Sequence, residues 1–108
     1  MSQVIEVTDE TFASVVMSSA KPVLVDYWAD WCVPCKQLSP LIAELSDSHG
    51  DRMTFTTLDT NTNQRTAADQ QILSLPTIQV WQDGRLVRSL QGGRSRRALL
   101  KALDDFIG

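Results

Sequence analysis

The stretch Asp26-Tyr27-Trp28-Ala29-Asp30-Trp31-Cys32-Val33-Pro34-Cys35-Lys36 spans a change in hydrophobic period. Before it, Pro22 opens a near-continuous apolar run over residues 23–29, interrupted only by Asp26. Such a run predicts a central strand buried on both faces. After it, Leu38, Leu41, Ile42 and Leu45 recur at i, i+3, i+4 and i+7. That spacing predicts a helix over residues 32–49, closed by Gly50. Pro40 falls inside this helix and is expected to kink it, because it removes one backbone donor. The two cysteines thus sit at the carboxyl end of a strand in an open α/β sheet, where sites tend to form.

Cys32 and Cys35 are the two cysteines of a 108-residue chain. A disulfide between them closes so short a loop that chain entropy gives it only about 2 kcal/mol. A reducing cytosol would also keep a structural bond open. The pair therefore calls for a chemical explanation. A spacing of three puts both side chains on one helical face, with Cβ atoms about 5–6 Å apart. A modest adjustment reaches the ~3.5–4.5 Å of a disulfide. Cys32 precedes the first full turn, where unpaired N–H groups and the helix dipole favour a thiolate. Cys35 lies one turn further in. Pro34 suits the first turn, where its missing N–H costs nothing. Cys32 reads as the attacking nucleophile and Cys35 as the resolving thiol.

Metal readings fit less well. Structural zinc needs four ligands, and the chain offers two Cys and one His. His49 is expected some four helical turns from Cys32, as a polar residue near a helix end. A c-type haem motif needs His directly after the second Cys, and Lys36 is there instead. A metal shared across a dimer has no supporting motif.

The remaining sequence alternates strand and helix signals. Residues 4–7 read as a short strand. Thr8 or Asp9 then caps a helix through about Ser18, with Phe12, Val15 and Val16 inward. Residues 53–58 are a strand and residues 61–72 a polar helix. Strands 78–81 and 86–90 flank Asp83-Gly84, a strong hairpin signal. Ser95 caps a last helix carrying Leu99, Ala102, Leu103 and Phe106 as its apolar stripe. Strands separated by helices are expected to pair in parallel, with the final hairpin as an antiparallel edge. The expected fold is α/β, one mixed sheet of about five strands flanked by about four helices.

Composition bounds the function. With 43% hydrophobic and 21% charged residues, the chain reads as one soluble globular domain over 1–108. No apolar run approaches the ~18 residues of a membrane span. The early residues Glu6, Asp9 and Glu10, without a basic residue, do not read as a secretory signal. A cytoplasmic location is the default. Net charge is −3. The densest basic cluster, Arg94, Arg96, Arg97 and then Lys101, reads first as a solvated helix start and second as a steering patch for an acidic partner. An acidic chain without interleaved aromatics is not expected to bind nucleic acid. A missing phosphate-binding Gly motif argues against a bound cofactor.

The quoted segment closely resembles the active-site segment of the thioredoxin family. Pro40, the turn Leu75-Pro76-Thr77, the Asp83-Gly84 hairpin and Gly92 match that family in register, and the resemblance covers essentially the whole chain. It implies the thioredoxin fold and dithiol–disulfide exchange with disulfide-containing protein substrates. It further implies re-reduction by a flavin-dependent thioredoxin reductase. It gives Asp26 the role of exchanging a proton with Cys35. Burial in the most apolar strand independently predicts a raised Asp26 pKa. The resemblance makes Pro76 a cis proline facing the cysteines, with the backbone before it pairing with substrate. Trp31, Val33, Pro34, Leu75, Pro76, Gly92 and Gly93 would form an apolar docking patch, whereas Trp28 would pack in the core. A monomer is expected.

Two departures stand out. Val33 replaces the commonest glycine between the first Cys and Pro, which predicts a shifted potential. Each ~1.4 kcal/mol of preference for one redox state moves a two-electron couple by about 30 mV. Thr57 stands where many relatives carry a lysine near the buried Asp, so Asp26 is expected to titrate higher still. Gln71 and Ser74 likewise replace residues that are often glycine. Two other functions are compatible with the fold: a disulfide oxidase or isomerase, and a non-redox protein-binding module.

Overall fold

A computed structural model describes residues 3–108; Met1 and Ser2 of the expected 1–108 domain lie outside the described residues. The elements run in the order β1 (Ile5–Glu6), α1 (Ala13–Met17), β2 (Val23–Trp28), α2 (Val33–His49), β3 (Thr54–Asp59), α3 (Gln64–Asp69), β4 (Thr77–Gln82), β5 (Arg85–Gln91), α4 (Arg96–Ala102) and α5 (Asp104–Ile107). The five strands form one mixed sheet in the order β1-β3-β2-β4-β5. The most apolar strand, β2, is central, as its composition predicts. Its side chains divide between two cores. Leu24 joins Leu38, Ile42, Leu45, Phe55, Ile78, Leu99 and Leu103 beneath α2 and α4. Val23, Val25 and Tyr27 join Phe12, Val16, Leu58 and Trp81 on the α1 face.

One pairing differs from expectation. β1, β3 and β2 are mutually parallel, but β4 runs antiparallel to β2 even though a helix separates β3 from β4. Helix α3 has six residues and rises only about 9 Å. A six-residue strand spans about 20 Å. The helix therefore does not carry the chain back along the sheet. The expected helix over 61–72 ends at Asp69, and Gln71 turns the chain with a positive φ of 56°. The hairpin forms at Asp83-Gly84, with φ of 54° and 77° at its two central residues. Those signs match the primed turn that follows strand twist.

Two helices also differ. The one expected over 8–18 is confined to Ala13–Met17 and is wide, with Ser18 N bonding back to Ala13 O at 3.1 Å. Thr8 and Thr11 bond reciprocally through backbone N and side-chain oxygen ahead of it. Asp9 instead serves α3. Its carboxylate accepts from Thr66 N at 2.8 Å, and its own N–H donates to Asn63 Oδ1. Hydrogen bonds from Thr66 first, and then the Arg65 backbone and charge, hold the Asp9 carboxyl below its ordinary range. The last helix begins as predicted, with Ser95 Oγ accepting from Ala98 N, but it divides at Leu103. Arg88 explains the division. Its guanidinium takes the Ala102 carbonyl at 2.7 Å, pairs with Asp105 and covers the Phe106 ring. The captured carbonyl is the one a continuous helix would offer to Phe106 N; that N–H turns to Leu103 O instead.

Candidate active site

Helix α2 follows β2 after a short loop, residues 29–32, that ends on its N-cap, Cys32, in extended conformation. Cys32 and Cys35 are joined by a disulfide, with Cα atoms 5.3 Å apart. The Cys32 sulfur also accepts the backbone N–H of Cys35 at 3.2 Å. One of the orphan donors of the first turn thus already points at this sulfur, the arrangement that favours negative charge there. In the closed disulfide both cysteines are buried, Cys32 at 4% and Cys35 at 1% exposure. Pro34 occupies the first turn without loss of a bond. The helix continues through Pro40 to His49, which lies at its far end away from the cysteines. Among the described residues, no cluster of three or more His, Cys, Asp or Glu side chains is placed to hold a metal ion.

Asp26 sits on the α2 side of β2, in register with Thr57 on β3 and Ile78 on β4. It lines a cavity of about 180 Å³ together with Trp28, Cys35, Lys36, Ser39 and Thr57. Its side chain is 3% exposed, and Oδ1 has no hydrogen-bond partner. Burial pushes its pKa up to about 7. The Thr57 hydroxyl turns to the Asp26 backbone carbonyl at 3.3 Å, so it brings neither charge nor a hydrogen bond to the carboxyl group. Trp28 is half-buried and lines the same cavity, with its indole N–H also unpartnered. The expectation of simple core packing for Trp28 misses this role as a cavity wall.

The predicted surface residues come from three loops that meet. Trp31 and Val33 are the exposed flanks of Cys32, at 68% and 62%. Leu75-Pro76 is a cis peptide, with Leu75 half-buried and Pro76 buried. Gly92, at a positive φ of 85°, donates its N–H to Pro76 O at 2.9 Å. Gly93 and Pro34 line one cavity, and a methyl group added at Gly93 would meet Pro34 Cβ at 3.9 Å. These links join the cysteine loop, the cis-proline turn and the glycine turn into one surface. Two residues of the basic cluster have neighbours of their own. Arg96 pairs with Glu44 at 2.8 Å, and Arg94 lines a cavity beside Pro34, Gln37 and Leu38.

Two residues that the sequence reading did not single out belong to these surroundings. Leu73, almost fully exposed, projects from the turn ahead of the cis proline. Its signal is an apolar Ile72-Leu73 pair among polar neighbours. Asn61 accepts the indole N–H of Trp31 at 3.2 Å. No local pattern marks a contact across 30 residues.

The arrangement is a reversible two-electron centre: a closable dithiol at a helix N-terminus over a buried carboxyl group that titrates near neutral pH. The comparisons agree. The Thioredoxin family model matches residues 3–105. A protein named Thioredoxin from Mycobacterium tuberculosis (strain ATCC 25618 / H37Rv) is 42% identical over 106 residues, covering 98% of this chain and 91% of that one. Thioredoxin 1 of Synechococcus elongatus is 36% identical over 107 residues, covering 99% and 100%. The Bifunctional thioredoxin reductase/thioredoxin of Mycobacterium leprae is 42% identical over 103 residues, covering 95% of this chain and 22% of that longer protein. With that match over nearly its whole length and a closed Cys32–Cys35 pair at the strand–helix junction, the chain is a thiol–disulfide oxidoreductase and belongs to the thioredoxin family.

Proposed function

We propose that this dithiol–disulfide reductase divides its chemistry among Cys32, Cys35 and Asp26. The Cys32 thiolate attacks one sulfur of a substrate disulfide and forms a mixed disulfide. The other substrate sulfur leaves as a thiolate and takes up a proton. Asp26, ionised, then accepts the Cys35 thiol proton across their shared cavity. The Cys35 thiolate attacks the Cys32 sulfur, and the second substrate sulfur leaves and is protonated. Two electrons and two protons pass to the substrate, and the Cys32–Cys35 disulfide remains. The observation that carries this reading is the unpartnered Asp26 Oδ1 in one cavity with Cys35. An acid that begins near pKa 7 can gain or lose a proton at little cost near neutral pH.

Trp31, Val33, Pro34, Leu75, Pro76 and Gly92 form the docking surface for an extended, disulfide-bearing segment. The oxidised pair is re-reduced by a thioredoxin reductase. The Mycobacterium leprae relative, whose name joins the two proteins in one chain, supports that pairing. The protein acts as a single-domain monomer with the Cys-Val-Pro-Cys form of the site, carrying electrons to its substrates. The cytoplasm is its compartment, where a reductant can reopen the bond.

Trapping tests the division of labour. Cys35→Ser incubated with a disulfide-bonded protein should accumulate a covalent adduct on Cys32 that excess dithiol dissolves. An adduct formed by Cys32→Ser and not by Cys35→Ser would reverse the two roles.

A further inference from the structure

The Trp31 ring is mostly exposed, yet its indole nitrogen is held. Asn61 Oδ1 accepts from it at 3.2 Å, and Asn61 Nδ2 donates to Asp30 Oδ1 at 2.8 Å. The backbone of Asn61 is fixed as well. Its N–H donates to Asp59 Oδ1 at 2.9 Å, and its carbonyl accepts from Gln64 Nε2 at 3.1 Å. The partners dictate the amide orientation, because an indole N–H only donates and a carboxylate only accepts. A side chain at position 61 must offer one acceptor and one donor to bridge them. Aspartate there would meet the indole but face Asp30 with like charge. Leucine could do neither.

We infer that Asn61 is a positioning residue for protein substrates: it clamps the Trp31 indole to Asp30 and so holds the docking wall beside Cys32 in a preset orientation. The inference rests on the reading that Trp31 belongs to the docking surface. A wall already ordered does not have to be ordered when a substrate binds, and preorganisation of this kind appears in affinity. A small disulfide reaches the sulfurs without using the wall. The clamp should therefore matter for protein substrates and not for small ones.

The test compares wild type with Asn61→Leu, Asn61→Asp and the exchanged pair Asp30→Asn/Asn61→Asp. Disulfide-bonded insulin serves as protein substrate and oxidised glutathione as small substrate. Asn61→Leu and Asn61→Asp should each raise KM for insulin about fivefold, with the glutathione rate changed less than twofold. The exchanged pair should restore KM. In it the amide placed at position 30 donates to the carboxylate placed at position 61, and that carboxylate still accepts from the indole. The Trp31 indole N–H resonance should lose its protection from exchange in Asn61→Leu, which leaves it no acceptor, and keep it in the exchanged pair. Unchanged KM in the single variants, equal changes for both substrates, or failure of the exchanged pair would overturn the inference. Trp31→Ala separates the two levels. If it leaves KM for insulin unchanged, the docking reading itself fails; if it raises KM and Asn61→Leu does not, only the clamp fails.

Discussion

Asp26 and Gln79 are both buried polar side chains, set on the paired central strands β2 and β4. They face opposite sides of the sheet and are treated in opposite ways. The Gln79 carbonyl accepts from the Tyr27 hydroxyl at 2.6 Å and the Trp81 indole at 3.0 Å. Its amide donates to Gln70. Desolvation of this polar cluster is offset by its own hydrogen bonds, and burial holds the Tyr27 hydroxyl well above its ordinary pKa. Asp26 has no such compensation at Oδ1. A satisfied buried group stabilises its surroundings. An unsatisfied one costs stability and leaves an atom free for chemistry. The face under α2 is the reactive one for that reason.

The largest expected effect lies on the reactive face. Cys35→Ser should lower steady-state reduction of a protein disulfide by about a thousandfold or more, since removing one member of a catalytic unit stops the cycle. Turnover with a dithiol as reductant measures this.

Next come two substitutions of opposite sign. Asp26 is raised from 3.8 to about 7 in the folded chain. Between those values the folded state binds more protons than the unfolded one. Stability therefore falls as pH rises from about 4 to 7 and is level above that. Asp26→Asn should remove this loss. It should stabilise the protein by about 4 kcal/mol at most at pH 8, and by little below pH 4. Denaturant unfolding at the two pH values reads the difference. Gln79→Leu should destabilise by about 2–4 kcal/mol at either pH, because Tyr27 and Trp81 lose their shared acceptor. A stabilised Gln79→Leu protein would break the comparison.

Much of this contrast could be read in the sequence on one side only. Asp26 stands out because its own strand is otherwise apolar. Gln79 sits between Ile78 and Val80 in a strand that also carries Thr77 and Gln82, its partner Tyr27 is 52 residues away, and no local pattern announces the match. The same distinction holds for the fold. Pro22, the Asp83-Gly84 turn and the Ser95 cap act through local backbone geometry, and their elements appear where expected. The direction of β4, the division of the last helix by Arg88 and the transfer of Asp9 to α3 depend on distant partners, which periodicity does not encode. At the site, the cysteines and their flanks were legible because they share one segment. The Asn61 clamp was not, because it joins two loops.

The smallest effect sharpens the electrostatic half of the comparison. Thr57 supplies no charge beside Asp26. Thr57→Lys should lower the Asp26 pKa by about one unit, through an opposite charge placed nearby. The carboxyl resonance of Asp26, followed against pH in both proteins, gives the shift directly; equal values would show that position 57 does not reach the carboxylate.

The most direct test of the account is the rate at which the preformed mixed disulfide is resolved, followed from pH 5 to 9. Wild type should follow an ionisation with an apparent pKa near 7, and Asp26→Asn should lose that rise and resolve about a hundredfold more slowly at pH 8. An identical profile in the two proteins would contradict the assignment of Asp26 as the proton acceptor for Cys35.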